Sequence, residues 1–171
     1  SRLTADHVHA LHRLAHDLLF ESNPRYVFRR QELESSLGTQ SSEPVLTSRF
    51  ANRIDPVFDE FAFLHASFQE YFAAAHTRVL SAQSRDELIE RTFFSTSRFI
   101  VLQFMAGLGA SVSEQCHRHA IMWLQSQDRF RQVLTRVARV VAAGRWPSSD
   151  SHGIGGLLRR ELWSDINREH D

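Results

Sequence analysis

Between Phe61 and Ala75 the hydrophobic period of the chain switches, and few folds accommodate that switch. The first part alternates briefly, as a half-buried strand does. From Ser67 onward Phe68, Tyr71, Phe72, Ala75 and Val79 recur at three- and four-residue steps, which is one face of a helix. Ser67 and Glu70 stand in the capping-box relation, so the spacing predicts that the helix begins at Ser67, with a cap contributing about 1 kcal/mol. His65 then falls at the joint between strand and helix. Free backbone N–H groups and the positive end of the helix dipole make that a place where an anion can be held.

The remaining elements follow from caps, breakers and periodicity. Thr4 is placed to cap a first helix whose stripe is Val8, Leu11, Leu14, Ala15, Leu18 and Leu19, ended by Asn23-Pro24. Tyr26 to Phe28 reads as a short extended piece, Gln31 to Leu37 as a helix closed by Gly38, and Thr39 to Glu43 as a loop. Pro44 suits the first turn of a helix reaching about Asn52. Ile54-Asp55-Pro56 reads as a turn and Val57 to Leu64 as a strand. This order, helix, short strand, helix, helix and a two-stranded wing, is that of a winged helix, predicted over residues 1–81.

Residues 82–171 read as helical throughout. Ser84 and Glu87 form a second capping pattern, and Ser97 to about Leu108 is heavily apolar, ended by Gly107 and Gly109. Ser113 is placed to cap a helix through Gln125, with Ile121, Met122 and Leu124 as its apolar residues. A further helix runs from Asp128 to Ala143, with Phe130, Val133, Leu134, Val137 and Val140 or Val141 on one face. A flexible loop over 144–156 precedes a last helix from Leu157 to about Asn167. The expected fold class is mainly α: a winged helix with a small β wing, followed by a helical domain.

Composition excludes several functions. Among 171 residues, 20 basic side chains balance 20 acidic ones, so no overall field draws the chain to nucleic acid or an acidic membrane. Every basic residue is Arg. Without Lys the chain has no phosphate-cradling Gly-x-x-x-x-Gly-Lys-(Ser/Thr) loop, and as it stands it is not expected to be an enzyme. Cys116 is the only cysteine, which rules out an internal disulfide and suits a reducing compartment. The longest apolar run, Phe99 to Ala110, is too short to span a bilayer. With no signal peptide at its start, and Ser1 rather than Met as its first residue, the chain is expected to be an excised piece of a cytoplasmic protein.

The segment His65-Ala66-Ser67-Phe68-Gln69-Glu70-Tyr71-Phe72-Ala73-Ala74, preceded by Phe63-Leu64, closely resembles the end of the winged-helix domain in NACHT-type STAND NTPases, relatives of the NOD-like receptors. In that family the pattern is Phe-(Leu/Ile)-His-x-(Ser/Thr)-Phe-Gln-Glu-(Tyr/Phe)-(Leu/Phe)-Ala-Ala. The specific likeness covers roughly the first half of the chain, and the helical second half agrees with it by position. The resemblance implies that His65 reaches the β-phosphate of ADP held, with Mg, by the nucleotide-binding domain of the same parent chain. It also implies that ADP/ATP exchange releases this arm, with a homo-oligomer forming on activation. Ser67, Phe68, Gln69, Glu70, Tyr71 and Phe72 enter as motif residues of structural weight, with Phe68, Tyr71 and Phe72 expected in the core. Such a parent signals inside the cell, in antiviral defence for many bacterial relatives.

Other candidates carry blander readings. A structural histidine capping the strand is the competing account of His65. His9, His12 and His16, with His7 nearby, have helical spacing for a shared zinc face but no evident fourth ligand, so a solvated polar face is expected and no metal. In Cys116-His117-Arg118-His119 successive side chains point apart, against a Cys–His nucleophile. Gly153-Ile154-Gly155-Gly156 reads as a hinge rather than a phosphate cradle. The alternative function is a free-standing winged-helix DNA-binding regulator using Arg29, Arg30, Arg49 and Arg53. Asp55, Asp59 and Glu60 on the wing weigh against it.

Overall fold

The computed structural model describes residues 2–38, 40–95, 97–125, 136–140 and 142. The chain is mainly helical with a small three-stranded antiparallel sheet, and it divides into two compact units, Ser1–Leu80 and Ser81–Asp171. In the first unit α1 (Ala5–Phe20) leads to β1 (Val27–Arg29), α2 (Arg30–Leu37), α3 (Glu43–Leu46), β2 (Ala51–Asp55), β3 (Glu60–Phe63) and α4 (Ala66–His76), closed by a 3-10 turn at Thr77–Val79. Thr4 caps α1 as expected. Its partner in the capping box is His7, whose Nδ1 accepts the Thr4 N–H at 3.1 Å, so the ring proton sits on Nε2 and is donated to Ser41 O at 3.1 Å.

The sheet is ordered β1-β3-β2, with Phe28 opposite Phe61 and Ala51 opposite Phe63. Phe61 and Phe63 lie two residues apart and so share the buried face. There Phe63 meets Phe28 at 5.3 Å between ring centroids and Phe72 of α4 at 6.1 Å. Helix α1 packs chiefly on α4 and next on α2. Leu11, Leu14, Ala15, Leu18 and Leu19 face the buried Ala73, Ala74 and Ala75, whose small side chains let the two backbones approach closely.

Several predicted boundaries move. The helix from Pro44 stops at Leu46, and Asn52 belongs to β2, because Ala51 and Asn52 pair with Phe63 and Ala62. Val57 and Phe58 are exposed in the hairpin turn rather than in a strand: the Asp55 carboxylate accepts both their N–H groups, at 2.7 and 3.0 Å, and Asp59 turns the chain at φ +51°. The two strands expected as a wing, β2 and β3, are therefore part of a three-stranded sheet. Helix α4 starts at Ala66 with His65 as its N-cap, so the Ser67–Glu70 capping box does not form. The Leu64 N–H is still held by Phe50 O at 2.9 Å, which leaves only His65 to turn the chain into the helix.

The second unit contains α5 (Ala82–Phe93), α6 (Phe99–Gly107) and α7 (Ala110–Gln125). Ser81, not Ser84, caps α5, its hydroxyl accepting the Ser84 N–H at 3.1 Å. Helix α7 begins at Ala110 because Gly109 takes φ +139°, and this puts Ser113 inside the helix and buried. Met122, one of the apolar residues of this helix, is exposed. Asp86 of α5 accepts from Gln115 and pairs with His119, both on α7, at 3.2 and 2.9 Å. Residues 136–140 and 142 are helical. The rest of the helix predicted from Asp128, the loop 144–156, its glycine run and the last helix lie outside the described residues. Among the described residues no helix is long and apolar enough to cross a membrane.

Truncating Phe28, which is fully buried between Phe61 and Phe63, is expected to cost about 3–5 kcal/mol. Tyr71→Ala on the 41 % exposed Tyr71 should cost less than about 1 kcal/mol. Urea unfolding of the two variants measures both, and equal losses would contradict the buried place of Phe28 and the exposed place of Tyr71.

Candidate functional site

His65 stands alone at the head of α4. Its backbone is extended (φ −139°, ψ 138°), its side chain makes no cap bond, and its carbonyl accepts the Phe68 N–H at 3.0 Å. The ring is exposed and sits edge-on to Phe68, centroids 6.4 Å apart. Leu64, Ala66 and Ser67 are exposed on either side of it. Three consequences of helix geometry converge here: outward first-turn amides, the positive end of the dipole, and an imidazole able to donate to an anion.

The other motif residues divide by face. Phe72 is buried against Phe63 and against Phe50, 5.3 Å away; Phe68 is half-buried and also meets Phe50; Tyr71 is exposed, contrary to its expected place in the core. The Tyr71 ring lies tilted against Phe72, centroids 6.0 Å apart. Gln69 is fully buried, and its Nε2 donates to Arg25 O at 2.7 Å. Its Oε1 is buried without a hydrogen-bond partner among the described residues. The Arg25 guanidinium in turn grips Glu21, twice at 3.0 Å, and Glu32 at 2.8 Å. Burial raises the Glu70 carboxyl above its usual range.

His9, His12 and His16 do share one face of α1, but that face is not simply solvated, since His12 and His16 are half-buried. His7 is taken up by the Thr4 cap, while His9, His12 and His16 run along α1 toward His76 of α4. His16 and His76 lie 4.9 Å apart between centroids, and His12 rests on Phe72 at 5.4 Å. Among the described residues no three His, Cys, Asp or Glu side chains are placed to hold a metal ion. Burial, then the nearby His9, His76 and Arg78, lower His12 to about 4, and His76 is lowered first by burial and then by His16. No local pattern announces this cluster, since His76 is brought to it by tertiary packing.

Cys116 is buried, and its thiol is pushed up to about 12 chiefly by desolvation, so it is no nucleophile at neutral pH. Three of the four arginines considered for DNA are engaged by carboxylates. Arg30 holds Asp59 at 2.6 Å and Glu43 at 2.5 Å, Arg53 holds Asp59 at 2.9 Å, and Arg29 approaches Glu60 at 3.4 Å. Arg30 and Arg53 also lie over the Phe61 ring, at 5.8 and 5.9 Å. No protein-family model matches the chain, and no curated protein matches it.

Because His12 and His76 bind protons less readily folded than unfolded, the unfolded chain takes up more protons below about pH 6.5, and folding stability falls as pH drops from there toward 4. Melting temperature measured from pH 7.5 to 4.5 is expected to decline, with a shallower slope in His12→Gln. An unchanged slope in that variant would show that His12 does not titrate against the fold.

Proposed function

We propose that this chain is the regulatory arm of an ADP/ATP-switched STAND NTPase of the NACHT type, with His65 contacting the phosphate of a nucleotide gripped by another domain of the same protein. The observation that carries the reading is the exposed His65 imidazole at an extended N-cap, within the sequence motif of residues 63–74. The element order α1-β1-α2-α3-β2-β3 with its antiparallel sheet supports a winged helix for the first unit, and α5 to α7 support a helical domain after it.

In this reading the imidazole donates to a β-phosphate oxygen of ADP. A hydrogen bond to a charged group contributes about 1.5–3 kcal/mol, enough to bias a two-state equilibrium by about tenfold or more. The arm holds the closed state while ADP is bound and is released when ATP replaces it. Mg and the phosphate loop belong to the nucleotide-binding domain, since this chain has no Lys. The parent acts in the cytoplasm as a signalling protein and assembles with copies of itself when switched on. A DNA-reading role is less well supported: α3, in the place of a recognition helix, has four residues, and Arg30 is paired with Glu43 of that helix and with Asp59.

In the intact parent, His65→Leu is expected to speed ADP release by about tenfold and to raise basal signalling, read by stopped-flow with a fluorescent ADP and by effector output. Since His65 is exposed, the variant should keep the melting temperature of the wild type. Unchanged ADP release with unchanged signalling would reject the phosphate contact. A reading frame without a phosphate loop upstream of Ser1 would reject the family assignment.

A further inference from the structure

The sheet ends at β1, and the direction of the β1 backbone groups follows from bonds around it. The Leu64 N–H bonds Phe50 O on the β2 side, and the Arg30 N–H bonds Asp59 O on the β3 side, at 2.9 and 3.3 Å. Backbone groups alternate sides along antiparallel strands, so with Phe28 opposite Phe61 both bonds turn Phe28 toward β3 and turn Val27 and Arg29 outward. On that outer side the Arg29 N–H is already taken by Glu32 Oε2 at 2.7 Å. Before Val27, the Arg25 carbonyl is taken by Gln69 Nε2. Between these closed positions the N–H and C=O of Val27 have no partner among the described residues. A groove of about 610 Å³ opens beside this edge, lined by Val27 and Arg29 of β1, Gln31 and Glu32 of α2, Arg25 and Glu60.

The charges lining the groove balance, two Arg against two Glu, but the hydrogen-bond donors are not all used. Both oxygens of Glu32 are spent, on Arg25 and on the Arg29 N–H. The Arg29 side chain is 62 % exposed and touches Glu60 only through Nε, at 3.4 Å, so its two terminal nitrogens make no bond among the described residues. Val27 and Arg29 lie two residues apart and share one face of the sheet. We propose that this edge takes up an extended peptide segment as an added antiparallel strand. One residue of the peptide exchanges both backbone hydrogen bonds with Val27, and a carboxylate two residues before it reaches the unused nitrogens of Arg29. A second copy of β1 is a poorer occupant. Pairing Val27 with its own counterpart would set Arg29 against Arg25 of that copy, where the oxygens of Glu21 and Glu32 are already spent. The proposal goes beyond the nucleotide reading of His65 and does not rest on it.

The probe is acetyl-Thr-Glu-Thr-Val-Thr-amide, titrated into the whole isotope-labelled chain. Saturable shifts are expected at the Val27 and Arg29 amides, with exchange of the Val27 amide proton slowed at least about fivefold at saturation. N-methylation of the peptide's Val removes the donor to the Val27 carbonyl and should weaken binding by about tenfold. N-methylation of the Thr before it, whose N–H faces away from β1, should change affinity by less than about twofold. Replacing the peptide's Glu by Gln should weaken binding by about fivefold in the wild type and leave it unchanged in Arg29→Gln, a variant that keeps its fold because the side chain is exposed. No shift at Val27, equal losses from the two N-methyl groups, or a Glu effect that persists in Arg29→Gln would each overturn the proposal. So would concentration-dependent shifts at Val27 without peptide, which would assign the edge to a second copy.

Discussion

Close approach of α1 and α4 sets the rest of the first unit. Ala73, Ala74 and Ala75 give α4 a smooth face, and the α1 leucines lie against it with little or no exposure. A face of alanines contributes little area by itself, so the seam depends on the larger side chains at its border. Phe72 supplies that border toward the sheet, touching Phe63, Phe50 and Phe68. The three strands are too short to be stable alone, and their buried face is completed by α4. Lengthening any of the three alanines would separate the helices and uncover the phenylalanines together.

The same close packing explains where charge collects. Side chains that flank a narrow seam have no room to turn inward, and those of α1 that lie along it are histidines. They meet His76 at the far end, where α4 stops and the 3-10 turn brings Arg78 beside them. Neutral imidazole tolerates this half-buried border at His12, which rests on Phe72, whereas imidazolium there is penalised first by burial and then by its neighbours. At His12 and His76 the border therefore suits the apolar seam while the rings stay unprotonated.

Local signals read from sequence were reliable where the deciding interaction lay within a few residues. Thr4 capped α1, Gly38 closed α2 at φ +68°, and the β3-to-α4 change of period fell where Phe63 gives way to Ala66. They failed where a distant partner chose. Ser67 and Glu70 had the right spacing, but the Phe50 carbonyl held Leu64 and made His65 the cap. Val57 and Phe58 looked like strand residues until Asp55 took their amides. Gln115 and His119 carry no local signal of burial. They are buried because Arg85 and Asp86 of α5 meet them. Of the site, His65 was legible through its motif, while the bond from Gln69 to Arg25 spans 44 residues and has no local signature.

That last bond bears on how a contact at His65 would be felt. Gln69 lies one helical turn after His65 on α4, and its side chain fastens the helix to the carbonyl of Arg25. Arg25 ties the same connection to Glu21 after α1 and to Glu32 in α2. To shift α4 along its axis relative to that connection, the fold would have to break the buried hydrogen bond from the Gln69 amide, whose oxygen has no partner among the described residues, at a cost of about 1–3 kcal/mol. Sliding would also drive Phe72 across Phe63 and Phe50. A pull on the His65 ring is comparable in size to the first of these costs and smaller than their sum. The first unit therefore answers such a pull by moving as one body, which is the property a levered arm requires and a flexible capping loop would not have.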